Sequence, residues 1–327
     1  MAIGTIIRGL TYYILLVVFT CIYSLVMDLV CMITFIRPIT PTTRNKIVNW
    51  FKYSYAHAIM LILKVCGVTF YVDRKVASDR MIWISNHRSK LDGLIIQSFL
   101  YVNGCYNVAV IKKAICYYPF FGSFSRNMDS VFIDRADETS NEILKQASSK
   151  SLLTGDSVLI FAEGTTLSLA SKLRSDNFAN ENGLRKFTNV LIPRKSGVEI
   201  IKKNGKFDRI GDLTLRYDNP PLPGFDEHSY LDLLKIFPHD IFINVKYFDS
   251  DNLDLYQVYE NKNDFLAQEH SKSDYLKNNY SFGWIIFNAT ILISFCYLFY
   301  SQLFFRYGVY LLSIYTIGRV FVTEKNY

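Results

Sequence analysis

No C-x-x-C pair occurs in this chain of 327 residues, and its six cysteines, Cys21, Cys31, Cys66, Cys105, Cys116 and Cys296, include several inside apolar runs. That spacing makes neither a disulfide framework nor a zinc site, and suits free thiols in a reducing compartment. Glycine (16) and proline (8) are too few for a collagen-like or linker protein. No repeat of fixed period and no low-complexity stretch occurs. Charge is scarce too: Asp, Glu, Lys and Arg make up 20% of the chain, against about 25% in an average soluble domain. Intrinsic disorder needs low hydrophobicity, and 50% of these residues are hydrophobic.

What is abundant is aromatic and basic. Tyr (23) and Phe (25) carry much of the apolar content. The net charge of +7 and a pI near 8.9 point to an anionic partner: nucleic acid, an anionic membrane surface or a phosphate-bearing substrate. The length allows one large domain or two small ones.

The apolar excess sits at the ends. Gly9 to Met27 is uncharged, and after Asp28 a second apolar run reaches Arg37. About twenty apolar residues cross a bilayer. The run is longer than a signal-peptide core and lacks an A-x-A-like end, so a retained anchor is expected. In Ile47–Gly67, Lys52, His57 and Lys64 share one helical sector with Asn49. That stripe reads as an interfacial helix, with a core helix as the alternative. Phe282–Phe305 is again uncharged and reads as a transmembrane segment; a shorter apolar run follows Arg306. The expected organisation is a membrane anchor with interfacial helix (1–69), a catalytic domain (70–278) and C-terminal transmembrane segments (279–327). Only Arg8 precedes the first span, whereas Arg37, Arg44, Lys46 and Lys52 follow it, which puts the middle of the chain on the cytosolic side.

That middle alternates short β-rich runs with helical patterns. Strands are expected at Met81–Ser85, Val108–Ile111, Val131–Ile133, Val158–Phe161, Val190–Ile192, Leu213–Tyr217 and Ile241–Tyr247. A helix is expected at Asp92–Val102 and another from near Asp137 or Thr139. The fold class is therefore α/β, a largely parallel or mixed central sheet with flanking helices.

Four short features carry chemistry. Asn86-His87 follows the first of these strands, with Asp92 five residues after His87. A histidine can take a proton from a hydroxyl near neutral pH, and a carboxylate can fix its tautomer. Five helical residues turn through about 500°, so the pair meets only if His87 lies in the turn before the helix. Ser85 and Asn86 are helix-start residue types. The strand ending at Phe161 runs into Ala162-Glu163-Gly164-Thr165, a turn suited to phosphate. Val131–Ile133 leads to Asp134-Arg135, and Arg at a strand end can clamp phosphate. Val190–Ile192 leads to Pro193.

In this order the features resemble the glycerolipid acyltransferase family. Asn86, His87 and Asp92 match its N-H-x-x-x-x-D block; Phe132, Ile133 and Arg135 match F-I-x-R. Phe161, Glu163, Gly164 and Thr165 match F-P-E-G-T, and Pro193 matches the fourth block. Similarity is closest to the branch of lysocardiolipin and lysophosphatidate acyltransferases, through Lys112, Pro119, Gly122, Ser171-Lys172, Asn182-Gly183-Leu184 and Val190–Arg194. Ala162 departs from the family's proline, and Ser123 from a frequent tryptophan.

The resemblance implies fatty acyl transfer from acyl-CoA, as co-substrate, to a lysophospholipid hydroxyl, with 1-acyl-glycerol-3-phosphate the first acceptor. Lysocardiolipin and lysophosphatidylinositol are the alternatives. His87 is expected as general base and Asp92 as its orienting partner. Asn86, Lys112, Arg135, Glu163, Gly164, Thr165 and Pro193 are expected to bind substrate. Glu163 is expected to hold a cation or a headgroup hydroxyl. The absence of a G-x-S-x-G elbow agrees with direct attack and no acyl-enzyme. No metal, no cofactor and no nucleic-acid partner are expected. The expected setting is the endoplasmic reticulum membrane. A non-catalytic membrane scaffold is the competing reading, and the retained His87, Asp92, Arg135 and Glu163 argue against it.

Overall fold

The computed structural model describes residues 2–36, 39–134, 139–218, 237–269 and 271–277. Arg135 and the whole of the expected C-terminal membrane region (279–327) lie outside them.

The strands are β1 (Thr69–Val72), β2 (Ile82–Ser85), β3 (Asn107–Lys112), β4 (Val131–Ile133), β5 (Ser157–Ile160), β6 (Arg209–Tyr217), β7 (Asp240–Asp249) and β8 (Leu276–Lys277). They form one mixed sheet in the order β4-β3-β5-β2-β6-β7-β1-β8. The first five in that order run parallel, and β7 turns antiparallel against β6. The helices are α1 (Ala2–Ile36), α2 (Pro41–Val65), α3 (Asp92–Val102), α4 (Phe121–Asn127), α5 (Ser140–Thr154), α6 (Leu169–Glu181), α7 (Lys195–Gly205) and α8 (Leu255–Ala267).

All four residues of β2 are buried, as expected of a parallel strand covered on both faces. Trp83 turns to one core with Ile59 and Leu63 of α2 and Ile95 and Phe99 of α3. Ile82 and Ile84 turn to the other, with Leu144 of α5, Ile201 of α7 and Tyr259 of α8. That alternation follows from the two-residue period of a strand.

Three expectations change. The run Val190–Ile192 is not a strand: the N–H of Leu191 goes to Glu163 Oε2 (3.0 Å) and that of Ile192 to Ser175 Oγ (3.0 Å), not to a ladder. The short outer strands β1 and β8 were not anticipated. The third concerns α2. It starts as its sequence suggests, with Thr40 as N-cap and Pro41 in the first turn. Its basic stripe, however, faces inward. Lys52 is buried and paired with Asp156 Oδ2 at 2.9 Å, His57 is buried, and only Lys64 is exposed. Phe51, Tyr55, Ile59 and Leu63 join the core, so α2 is covered by α1 and α3.

Within α1, Ile3–Cys31 is long and apolar enough to cross a membrane by length and composition. Its two charged residues tie it to the domain. Asp28 is buried and accepts from Ser123 Oγ and Asn127 Nδ2 of α4, both at 2.7 Å. Arg8 donates to Cys66 O (2.5 Å) and Pro238 O (2.9 Å). Ile7, Leu10, Ile14, Val17 and Leu25 remain exposed on its outer side.

Candidate active site

The carboxyl ends of β2, β3, β4 and β5 meet at one edge of the sheet, where open α/β sheets bind ligands. The turn from β2 into α3 supplies the centre. Ser85 ends the strand, and Asn86 clamps the backbone of the neighbouring β6: its Oδ1 accepts from Leu215 N (2.8 Å) and its Nδ2 donates to Leu215 O (2.9 Å). Ser85 and Asn86 are therefore not helix caps. Asp92 is the first residue of α3, and its own carboxylate gathers the preceding N–H groups.

His87 lies in that turn, which brings it to Asp92. Its Nδ1 is 3.0 Å from Asp92 Oδ2. The same oxygen accepts the N–H of Arg88 (2.6 Å) and Ser89 (2.8 Å). Asp92 Oδ1 accepts the hydroxyl of Tyr217 at 2.5 Å. A carboxylate oxygen cannot donate, so Nδ1 carries the proton of a neutral His87 and Nε2 is the basic nitrogen. Thr166 Oγ1 lies 3.3 Å from Nε2, and Phe161 stacks on the ring at 4.3 Å between centroids. The imidazole thus has its tautomer and its plane fixed, and its side chain keeps 19% of its surface.

Glu163 is fully enclosed behind this turn. One oxygen accepts the N–H of His87 (2.9 Å), the other that of Leu191. Its carboxylate therefore staples the β2–α3 turn to the segment before α7, instead of meeting a cation or a headgroup. Burial pushes its carboxyl up to about 8, against the two N–H bonds and the nearby Lys262 ammonium, which favour the anion. Gly164 has φ +79°, the left-handed conformation that glycine adopts without strain. Pro193 is buried between Ile192 and Arg194, whose N–H goes to Ala162 O at 2.8 Å. A residue without an N–H leaves no donor unpaired there. From below, Tyr259 of α8 donates to Ser85 O (2.8 Å), and Lys262 pairs with Asp212 Oδ1 (2.5 Å).

The structure brings together His87, Asp92, Asn86, Glu163, Gly164 and Pro193. Lys112 is exposed at the end of β3, on the same sheet edge. Thr165 is half-buried, and the hydroxyl that approaches His87 is that of the next residue, Thr166. Arg135 lies outside the described residues. Sequence reasoning missed Tyr217, Thr166 and the stacking role of Phe161. Tyr217 stands 125 positions from Asp92, and only the sheet order reveals the contact.

Residues 67–201 match the Acyltransferase family model. Lysocardiolipin acyltransferase 1 of Danio rerio is 29% identical over 200 residues, 58% of this chain and 50% of that protein. The probable 1-acyl-sn-glycerol-3-phosphate acyltransferase 5 of Arabidopsis thaliana is 26% identical over 269 residues, 76% of this chain and 72% of that protein. The chain spans about half the length of the lysocardiolipin acyltransferases it matches. Its fold is similar to the crystal structure of PlsC, the 1-acyl-sn-glycerophosphate acyltransferase of Thermotoga maritima, with a TM-score of 0.51. That match covers 81% of this chain and 95% of PlsC at 14% identity, and it concerns the fold alone. The motif order, the sheet and the family model agree on residues 67–201 as the part of the chain that is similar to the Acyltransferase family.

Proposed function

We propose that this chain transfers a fatty acyl group from acyl-CoA to the free hydroxyl of a lysophospholipid, with 1-acyl-glycerol-3-phosphate as the first acceptor. The observation that carries this reading is the His87–Asp92 pair, with Nδ1 held by Asp92 and Nε2 left as base. The acceptor hydroxyl gives its proton to Nε2 as its oxygen attacks the thioester carbonyl. The tetrahedral intermediate then expels the CoA thiolate, which takes that proton from the imidazolium. Asp92 stabilises the imidazolium without itself being protonated, and no acyl-enzyme is needed.

Lys112, Arg135, Gly164 and Thr165 are assigned to the phosphate-bearing headgroup. Asn86, Glu163 and Pro193 support the site through the backbone contacts described above. The exposed apolar side of α1 suits a bilayer, where lysophospholipids and long acyl chains reside. The basic charge suits anionic headgroups and the phosphates of the coenzyme. We place the protein in the endoplasmic reticulum membrane with the domain in the cytosol. A second reading is favoured by the names of relatives, among them lysocardiolipin acyltransferase 1 and lysophosphatidylinositol acyltransferase 10 of Caenorhabditis elegans. In it the same chemistry remodels lysocardiolipin or lysophosphatidylinositol. Mass analysis of products from a panel of lysophospholipids and acyl-CoAs decides between them: phosphatidic acid supports the first reading, and an acylated cardiolipin or phosphatidylinositol the second.

A further inference from the structure

Next to His87 stands a cation that the mechanism above does not use. Arg88 keeps only 7% of its surface, and its enclosed Nε has no hydrogen-bond partner among the described residues. Among the described residues its guanidinium makes no ion pair. Asp92 and Glu163 are close enough for their charges to act on it. Both are already committed, Asp92 to His87, Tyr217 and two N–H groups, and Glu163 to the N–H groups of His87 and Leu191. Burial outweighs their attraction and lowers the Arg88 pKa from its usual range.

An enclosed cation without a partner is costly, and buried charges are normally paired. Lys112 differs in this respect: it is exposed and solvated, so its charge needs no partner. A planar guanidinium with unmatched donors fits phosphate oxygens in a bidentate manner. We infer that Arg88 is a phosphate-binding residue of the acyl-transfer site, taking a substrate phosphate beside His87. The inference rests on the proposed function for the identity of its substrates, and both of these carry phosphate: the acceptor in its headgroup, the donor in its coenzyme.

The test uses the full chain in detergent and the variants Arg88→Gln and Arg88→Lys. Equilibrium binding is measured for each substrate alone, without turnover. 1-Acyl-glycerol-3-phosphate is compared with monoacylglycerol, and acyl-CoA with the acyl thioester of N-acetylcysteamine, which has no phosphate. Arg88→Gln is expected to lower the preference for one phosphate-bearing compound over its phosphate-free counterpart by roughly 10- to 100-fold, with Arg88→Lys intermediate. A loss confined to the lysophosphatidate pair assigns the acceptor phosphate; one confined to the thioester pair assigns the coenzyme. Because no described residue pairs with this charge, Tm of Arg88→Gln is expected at or above that of the parent. Unchanged preferences in both pairs overturn the inference. Equal losses within each pair, with a lower Tm, overturn it in favour of a structural role. If the parent binds as expected but transfers no acyl group, the proposed function fails and the assignment of Arg88 stands.

Discussion

Asp92 accepts four hydrogen bonds, three at Oδ2 and one, from Tyr217, at Oδ1. The three local donors come from its own turn, whereas Tyr217 comes from β6. Tyr217→Phe removes one donor from a buried carboxylate and leaves the ring in place. A hydrogen bond to a charged group is worth about 1.5–3 kcal/mol, so kcat is expected to fall roughly tenfold or more with acceptor KM little changed. An unaltered kcat would show that Asp92 does not need this bond. Glu163 makes a second prediction. Its folded pKa, about 8, lies above the ordinary carboxylate range, so the folded state holds a proton that the unfolded chain releases. Stability from this group is complete below about pH 4.5, declines as pH rises and is gone above about pH 8. Denaturation midpoints between pH 5 and 9 should show that decline in the parent and a flatter profile in Glu163→Gln; parallel profiles would contradict it. His87 and Asp92 were legible in the sequence because one turn contains both. The partners of Glu163 were not, since backbone N–H groups of distant segments leave no mark in a sequence.

The elements most legible were those whose residues carry an unambiguous period or run. The expected Asp92–Val102 helix coincides with α3, and Val131–Ile133 coincides with β4. The misread element is α2, and the reason is physical. A helix with one polar stripe looks the same whether the stripe meets water at a bilayer surface or a buried carboxylate. Asp156, 104 residues away, decides that Lys52 points inward. The β2–β6 pair holds a constraint of its own. Gly211 pairs with Trp83, and a Cβ at Gly211 would lie 2.3 Å from the Trp83 ring. Trp83 is fully buried and cannot yield freely. Gly211→Ala is therefore expected to destabilise by about 1–3 kcal/mol through overpacking, read from the denaturation midpoint. A midpoint equal to the parent's would show that the ring moves aside at little cost.

At the scale of the molecule, parallel strands end at one sheet edge, and their connections place His87, Glu163 and Lys112 there. The chain's apolar excess lies in α1 and in the uncharged runs near its end. α1 is both an apolar helix and a packed one, joined to the domain at Arg8 and at Asp28. The central claim is that His87 is the base for acyl transfer, and one measurement tests it most directly. The full chain and His87→Ala, each in lipid, are given acyl-CoA and a panel of lysophospholipids, and products are quantified by mass. The account predicts an acylated phospholipid from the parent and a rate lower by about 10²–10⁴ in the variant, with both proteins equally folded. A His87→Ala rate near that of the parent, or no acyl transfer by the parent to any acceptor, would contradict it.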